Sequence, residues 1–457
     1  MTLETQLVQA DENLDAALDR LFALLRIESI STDPAYADQC VIAADWLVSE
    51  LQSLGFTASR RDTPGHPMVV AHSGGTGRKK LFYGHYDVQP VDPLDLWDRP
   101  PFDPIIEDTP KGKVIRARGA SDDKGQLMTF IEACRAIKDV TGELPGNITI
   151  LFEGEEESGS PSLIPFLKDN IEELKAEFAL VCDTGLWNAD TPAISTMLRG
   201  MVAEDFTIKA ADMDLHSGMY GGAAINPIRV LTKILGGLHD ENGRVTLKNF
   251  YDGVLDLTPE MKAAWESLNF DGDAFLKGAG LSVPAGETDY SILEQLWSRP
   301  TCDINGISGG YTGEGFKTVL PSEAYAKVSF RLVGTQDPEA ISTNFRQFIR
   351  DNLPKDCEVT FHSEDRAGAT TLPVDAPEFA QARKALSAEW PNEAIFGGCG
   401  GSIPIVGHFQ EILGMDSVLI GFGLEDDLIH SPNEKYDLRS FHKGIRSWVR
   451  VLDALNG

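Results

Sequence analysis

The chain has 457 residues, of which 42% are hydrophobic and 24% are charged, values that are ordinary for a globular protein with a large core. Its formal net charge of −30 argues against electrostatic binding to nucleic acid or to an anionic membrane surface. No apolar run is long enough for a membrane span, and the acidic, helical N-terminus lacks the features of a signal peptide. We therefore expect a cytoplasmic protein of two or three domains, without nucleic acid or membrane as partners.

The six cysteines lie far apart in the sequence and form no C-x-x-C pair. In a chain of this size, that spacing is typical of reduced and mostly buried thiols rather than of a disulfide framework. We therefore expect a metal bound by this protein to have histidine and carboxylate ligands instead of thiolates.

Strands and helices alternate in the N-terminal part of the sequence. The elements predicted there are helices over 11–25 and 43–54, strands over 67–71 and 80–83, a helix over 125–138, a strand over 147–152, a helix over 161–175 that Ser160 caps, and a strand over 178–182. This alternation is typical of an α/β sheet that is covered by helices.

After Arg199 the pattern changes to alternating polar and apolar residues. The elements predicted there are a strand over 205–210, a helix over 227–238, a long irregular stretch, a strand over 324–333 and a helix over 338–351. From about Asp375 the chain returns to helices and one apolar strand over 417–420. We predict an α/β fold whose central mixed sheet, built by residues 1–198 and 375–457, is interrupted by a smaller α+β domain, residues 199–374.

Residues that can bind metals follow the predicted strands. His85 and Asp87 end an apolar run two residues apart, so an extended backbone would point both side chains to one face. The acid could then accept the imidazole N–H that a bound metal does not use. Such a pair by itself is as often a surface or core feature without a function.

Three further acids stand at the ends of predicted elements. Asp122 precedes the helix over 125–138, where it could equally cap the helix. Glu156 and Glu157 follow an apolar strand, and in an extended backbone one would face a metal while the other faced the substrate as a proton shuttle. A solvated acidic loop is the alternative, although so many clustered carboxylates raise one another's pKa unless a cation is present.

Asp183 follows the next strand, and His430 lies in a polar loop after the last strand. In open α/β sheets, ligands bind at the carboxyl ends of the strands. The candidate ligands are two imidazoles and three carboxylates: His85, Asp122, Glu157, Asp183 and His430. If Asp122 bridges two divalent cations, each cation receives one histidine, the shared aspartate and one further carboxylate, which leaves a position for water. Such ligands suit Zn²⁺, Mn²⁺ or Co²⁺ better than Mg²⁺.

These residues resemble the di-zinc metallopeptidase and aminoacylase family, which includes carnosinases, non-specific dipeptidases, acetylornithine deacetylase and succinyl-diaminopimelate desuccinylase. The chain is most similar to the carnosinase-like, cytosolic non-specific dipeptidase branch. The motifs that carry the resemblance occur in the family's order between Leu81 and Tyr436: GHYDVQP, RGASDDKGQ, EGEEESGS, CDTGLW, DLHSGMYGG, GGSIP and HSPNEKY. The resemblance implies two Zn²⁺ ions, with Mn²⁺ or Co²⁺ as alternatives, bound by the five candidate ligands with Asp122 as the bridge.

The resemblance also implies roles for residues around the metals. Asp87 corresponds to the acid that orients His85, and Glu156 corresponds to the general base. The peptide bond from Asp122 to Asp123 is expected to be cis. The larger domain corresponds to the family's catalytic domain, and residues 199–374 correspond to its lid and dimerisation domain.

Further residues are implied to contact the substrate in a homodimer. His216 matches a histidine that reaches across the dimer interface and stabilises the oxyanion. Arg331 matches the residue that binds the substrate carboxylate, although its own surroundings in the sequence fit an exposed strand arginine equally well. Asn226, Thr318 and Ser402 are implied to line the substrate pocket.

The sequence departs from the carnosinase branch in two segments. Gly398 and Cys399 stand where an Arg-Glu pair often precedes the GGSIP motif, and residues 367–371 lack a histidine-glycine signature. These departures leave the preferred substrate open.

The sequence therefore predicts a metallodipeptidase that hydrolyses short amides with a free carboxylate, using Glu156 as the base. The main alternative is an amidohydrolase that acts on N-acyl- or N-carbamoyl-amino acids with the same metal chemistry. A non-catalytic scaffold is a further alternative, which the complete set of ligands and base disfavours.

Overall fold

The computed structural model describes residues 2–401 and 403–456, with the side chains of residues 363–365 excepted. The chain forms two compact units. The first unit comprises Met1–Thr196, Leu372–Gly397 and His408–Gly457, and the second comprises Met197–Thr371 and Gly398–Gly407.

The α-helices of the described residues, in chain order, are α1 Leu3–Glu12, α2 Leu14–Leu25, α3 Ala37–Ser53, α4 Lys124–Thr141, α5 Leu163–Asp169, α6 Ile171–Leu174, α7 Ser217–Tyr220, α8 Pro227–Leu235, α9 Pro259–Glu266, α10 Gly272–Gly278, α11 Ile292–Trp297, α12 Pro338–Asp351, α13 Pro377–Ser387, α14 Pro404–His408 and α15 Leu438–Asn456.

The strands, in chain order, are β1 Thr57–Arg61, β2 Met68–His72, β3 Lys80–His85, β4 Ile105–Thr109, β5 Gly112–Arg116, β6 Ile148–Glu153, β7 Phe178–Val181, β8 Ala193–Leu198, β9 Gly200–Lys209, β10 Leu215–His216, β11 Thr301–Gly309, β12 Val319–Leu320, β13 Glu323–Leu332, β14 Glu358–Ala367, β15 Thr370–Thr371, β16 Ile395–Cys399, β17 Ser417–Ile420 and β18 Lys435–Asp437.

A mixed sheet forms the centre of the first unit, with the strand order β1-β2-β6-β3-β7-β17-β8-β15 and with β16 paired to β8. The strands β6, β3, β7 and β17 run parallel to one another, whereas β1, β2 and β8 pair antiparallel. The parallel strands are buried along their whole length, as expected for the middle of a sheet that is covered on both faces. Their carboxyl ends therefore share one edge of the sheet.

Helix α4 is the most buried helix of the first unit and packs against β3 and against helices α1, α2 and α15. The ring of Phe130 on α4 stacks on Phe82 of β3 with 3.6 Å between centroids, and Trp448 of α15 meets both rings edge-on. Gly142, in a left-handed backbone conformation (φ 79°), ends the helix by donating its N–H to Lys138. The start of α4 is thus held rigidly next to the sheet edge.

The second unit contains a four-stranded antiparallel sheet with the order β11-β13-β9-β14. Residues on β9 and β13 alternate between buried and half-exposed positions, so each strand has one face on the core. Helices α8 and α12 cover that face, and each begins with a capping residue, Asn226 or Asp337, followed by proline.

The predicted fold class, an α/β unit with a central mixed sheet plus a smaller α+β unit, is confirmed. Helix α12 and strand β17 have the predicted bounds. All six cysteines are free thiols, and five are buried. Among the helices of the described ranges, none combines the length and apolar composition that a bilayer crossing requires.

Some predicted elements were wrong. The helix expected over 161–175 is two short helices, α5 and α6, separated at Asn170, whose side chain donates to Phe166 O. Ser160 does not cap it, because Ser160 has a left-handed backbone (φ 54°) and the helix begins after Ser162. The helix expected over 11–25 is likewise two helices, α1 and α2. The stretch expected to be irregular contains α9, α10 and α11.

Candidate metal centre

The parallel strands of the first unit bring the predicted ligands to one edge of the sheet. His85 is the last residue of β3, Asp183 follows β7, and Glu157 lies in the turn after β6. Because β3 lies between β6 and β7 and runs parallel to both, these side chains leave the sheet at the same end. Asp122 reaches this edge from the loop before α4, and His430 reaches it from the loop after β17.

Two groups of side chains form around Asp122. The first is His85, Asp122 and Asp183, and the second is Asp122, Glu157 and His430; within each group the potential ligand atoms lie within 4.8 Å of one another. The two oxygens of Asp122 face different imidazoles: Oδ1 is 3.1 Å from His85 Nε2, and Oδ2 is 2.9 Å from His430 Nε2. Glu157 Oε2 is 3.3 Å from the same His430 nitrogen.

Asp122 therefore does not act as a helix cap. The residue at the cap position of α4 is Asp123, which makes no side-chain capping bond, while the carboxylate of Asp122 points to the imidazoles. The peptide bond between Asp122 and Asp123 is cis, as the resemblance led us to expect.

Asp87 is completely buried and connects β3 to the turn after β6. Its Oδ1 lies 3.4 Å from His85 Nδ1, on the side of the ring away from Asp122. Its two oxygens also accept the backbone N–H groups of Glu156, at 3.3 Å, and Glu157, at 3.0 Å. These bonds fold Glu156–Ser158 into a 3₁₀ turn, so the expectation of an extended backbone at the two glutamates was wrong. Their side chains project differently because the turn rotates between them.

The site crowds several buried carboxylates around two imidazoles, so that each group shifts the pKa of its neighbours. Burial, together with nearby Asp87 and Glu157, raises the pKa of Glu156 to about 7. Burial also raises the pKa of Asp183 well above its usual range, and the carboxylates of Asp122 and Glu156 add to this effect. Hydrogen bonds to Asp122 and Glu157 raise the pKa of His430 to about 10. A cluster of this kind favours the binding of cations.

The donors fit divalent metals. Each of the two groups offers one imidazole nitrogen and oxygens from two carboxylates, with Asp122 common to both groups. Neither group contains a thiol, and this N/O set is typical of Zn²⁺, Mn²⁺ or Co²⁺. The orientation of His85 by Asp87 is the arrangement in which an acid holds the ring nitrogen that does not bind metal.

Sequence reasoning missed two residues that hold the predicted ligands. Gln89 Nε2 donates to Glu157 Oε2 at 2.6 Å and so orients that carboxylate. Glu434 is completely buried and accepts four hydrogen bonds from the loop that carries Asp122. Both residues belong to motifs that carry the family resemblance, GHYDVQP and HSPNEKY, which was the one signal that could have identified them.

His216 and Thr318, which are both predicted to contact the substrate, lie close together in the second unit. His216 on β10 is exposed, and the N–H of the following residue, Ser217, donates to Thr318 O at 3.0 Å. The Nδ1 of His216 accepts the backbone N–H of Gly218 at 3.0 Å. The neutral ring therefore carries its proton on Nε2, which makes Nε2 a hydrogen-bond donor.

The other candidates of the second unit differ in their surroundings. The amide oxygen of Asn226 caps α8 by accepting the Ile228 N–H at 2.9 Å. Arg331 on β13 is half-buried and lines a cavity of about 430 Å³ together with Arg199 and Arg299. The prediction for Ser402 lies outside the described residues.

Comparisons with known proteins identify the family of this chain. The model of the peptidase family M20/M25/M40 matches residues 81–454. The chain is 30% identical to the Cys-Gly metallodipeptidase dug1 of Schizosaccharomyces pombe, over 100% of this chain and 98% of that protein.

Solved structures are similar over almost the whole chain. Human carnosine dipeptidase 1 has a TM-score of 0.85 and 27% identity, covering 100% of this chain and 99% of that one. The M20 family metallo-carboxypeptidase Sso-CP2 of Sulfolobus solfataricus has a TM-score of 0.83 and 30% identity, covering 96% of this chain and 99% of that one. The resemblance to the carnosinase-like branch is thereby confirmed, and the chain belongs to the peptidase family M20/M25/M40.

Proposed function

We propose that this protein is a metallodipeptidase, which hydrolyses dipeptides and similar short amides that carry a free carboxylate. The observation that supports this proposal best is the arrangement around Asp122, whose two oxygens face two different imidazoles. One carboxylate, Asp183 or Glu157, completes each group. The names of the similar proteins, a Cys-Gly metallodipeptidase and a carnosine dipeptidase, point to the same substrate class.

We assign the two groups to two divalent cations, Zn²⁺ first and Mn²⁺ or Co²⁺ as alternatives. When bound, such cations supply Lewis acidity, which polarises an amide carbonyl and makes water a nucleophile at neutral pH. Glu156 lies in the same turn as Glu157 and takes the proton of the attacking water. It later delivers this proton to the leaving amine.

Substitution of Glu156 tests the role of the base. Glu156→Gln keeps the size of the side chain but removes its basicity, so kcat should fall by about 10²- to 10⁴-fold, while the bound metal and the fold stay unchanged. Glu143→Gln is the matched control, because Glu143 is exposed in the same unit. A Glu156→Gln enzyme with near-normal kcat and full metal content would refute the assignment.

We further propose that substrate contacts come from the second unit. His216 would stabilise the oxyanion through Nε2–H, and Arg331 would bind the substrate carboxylate with its planar guanidinium. Asn226, Thr318 and Ser402 would line the pocket. The amide oxygen of Asn226 is already engaged in capping α8, so its contribution would come from the amide nitrogen.

We also propose a homodimer in which His216 acts on the partner's substrate. Large apolar side chains are exposed around His216 in the second unit, among them Met213, Met219 and Phe316. Ile304 and Ile307 are exposed on β11, which is an edge strand of the four-stranded sheet. Such a surface is typical of a protein interface. Sedimentation of the purified protein as a monomer at micromolar concentration would contradict this proposal.

In functional terms we propose a catalytic domain of residues 1–198 and 375–457 and a lid and dimerisation domain of residues 199–374. We propose the cytoplasm as the site of action, since free buried cysteines are typical of a reducing compartment.

The alternative substrates are N-acyl- and N-carbamoyl-amino acids, for which the metal chemistry is the same. Parallel assays of dipeptides, longer peptides, acetyl-amino acids and carbamoyl-amino acids, with metal content measured, separate these classes. Turnover of dipeptides well above the others supports the proposal. Turnover of none of them by the metal-loaded protein would favour a non-catalytic scaffold.

A further inference from the structure

Glu434 accepts hydrogen bonds from the loop that carries Asp122. Its Oε1 accepts the N–H groups of Ser121 and Asp122, at 2.9 and 3.1 Å. Its Oε2 accepts the N–H of Gly119 at 3.0 Å and a guanidinium N–H of Arg118 at 2.7 Å. All of these groups are buried, so each bond is made without competition from water.

Asp427 makes a second connection between the same two loops. Its Oδ2 accepts the hydroxyl of Ser121 at 2.7 Å and the N–H of Leu424 at 2.8 Å. Its Oδ1 pairs with the ammonium of Lys435 at 2.7 Å. Asp427 is only 1% exposed, so its hydrogen bonds are shielded from water.

His430 lies between these two anchors in the sequence. Its own side chain is 54% exposed, and its backbone has a left-handed conformation (φ 60°). Packing around the ring therefore contributes little to holding the imidazole in place. The buried attachments of its loop on either side are Asp427 and Glu434.

We propose that Glu434 and Asp427 are positioning residues, which hold the loop of His430 and the loop of Asp122 in register for metal binding. This inference rests on the proposed metal centre and deepens it. Neither residue belongs to the two groups of candidate ligands; both act through the backbone and hydroxyl groups that they bind. Their effect should be largest on the cation that Asp122, Glu157 and His430 share.

Metal affinity tests the proposal directly. In Glu434→Gln the side chain keeps its shape, but its amide N–H₂ faces backbone donors and cannot accept their hydrogen bonds. We expect a loss of about 10- to 100-fold in affinity for the weaker of the two metals, measured by competition with a chelator for Zn²⁺. The absorption spectrum of the Co²⁺-loaded protein should change as well, because the ligand geometry relaxes.

Glu425→Gln is the matched control, since Glu425 is an exposed acid of the same loop. It should bind Zn²⁺ as the wild type does. An equal loss in both variants would show a general effect of charge and overturn the proposal. Wild-type affinity and an unchanged Co²⁺ spectrum in Glu434→Gln would also overturn it, even if the metal-free variant melted earlier.

Ser121→Ala keeps the test decisive if Glu434→Gln does not fold. It removes only the hydroxyl that donates to Asp427, and we expect a loss of about 2- to 10-fold in Zn²⁺ affinity. Unchanged affinity in this variant would then overturn the proposal. Failure of the proposed function would give a different result, because in that case the wild-type protein itself would not bind two metal ions.

Discussion

At the scale of single residues, hydrogen bonds decide which chemistry a side chain can perform. His216 illustrates this, because the bond from Gly218 N–H to its Nδ1 selects the tautomer with the proton on Nε2. In the metal centre, Asp87 does the same for His85 by approaching the Nδ1 side of its ring. In both rings Nε2 is the nitrogen to which we assign a function, as a hydrogen-bond donor in His216 and as a metal ligand in His85.

From this tautomer we predict the kinetic effect of His216→Ala. A donor to the oxyanion acts mainly in the transition state, so kcat should fall by about 10²- to 10³-fold, with a smaller change in KM. Steady-state kinetics with a dipeptide measures both constants. His362→Ala is the control, since His362 is another exposed histidine of the second unit. An unchanged kcat in His216→Ala would contradict the proposal that His216 stabilises the oxyanion.

At the scale of elements, close packing of α4 and α15 holds the start of α4, and with it Asp122, against the sheet. Gly444 on α15 makes this approach possible. A Cβ atom at this position would lie 2.9 Å from Phe422 Cδ2 and 2.9 Å from Thr129 Cγ2. Both of these atoms belong to buried side chains that have little room to move.

We therefore predict that Gly444→Ala destabilises the protein, although alanine is the better helix former. Overpacking at this site should cost about 1–3 kcal/mol in the free energy of unfolding. Gly278→Ala is the control in helix α10, where an added Cβ has no neighbour within 4 Å. That variant should be neutral or up to about 1 kcal/mol more stable. Denaturant melts compare the two, and equal midpoints would contradict the packing argument.

At the scale of the whole molecule, the charge of −30 and the carboxylates at the sheet edge both favour binding of cations. General surface charge is screened by salt, whereas the clustered carboxylates are partly or fully buried and are screened less. The stability of the protein should therefore depend on specific divalent metals more than on ionic strength.

Removal of metal with a chelator should lower the melting temperature. A metal present at about 100 times its Kd stabilises the folded state by about 2.7 kcal/mol, and this stabilisation disappears with the metal. Calorimetry with and without chelator measures the change, and addition of Zn²⁺ should reverse it. Equal melting temperatures before and after proven loss of metal would argue against a preformed site.

Prediction from the sequence succeeded where a local pattern determines the structure. Strand β17 is a short apolar run and helix α12 has a capping aspartate followed by proline, so their bounds could be read directly. Prediction failed where a contact between distant segments determines the local structure. The turn at Glu156–Ser158 donates backbone hydrogen bonds to Asp87, and the sequence pattern of residues 147–157 does not indicate that partner.

The sequence alone determined which residue types were present and that they follow strands, which was enough to predict an α/β fold and a metal centre of histidines and carboxylates. Only the tertiary structure decided how the candidate ligands are held. Glu434 and Ser121 are 313 residues apart, yet a buried carboxylate joins them. Local propensities act over a few residues, whereas such a bond exists only once the sheet has folded and water has been excluded.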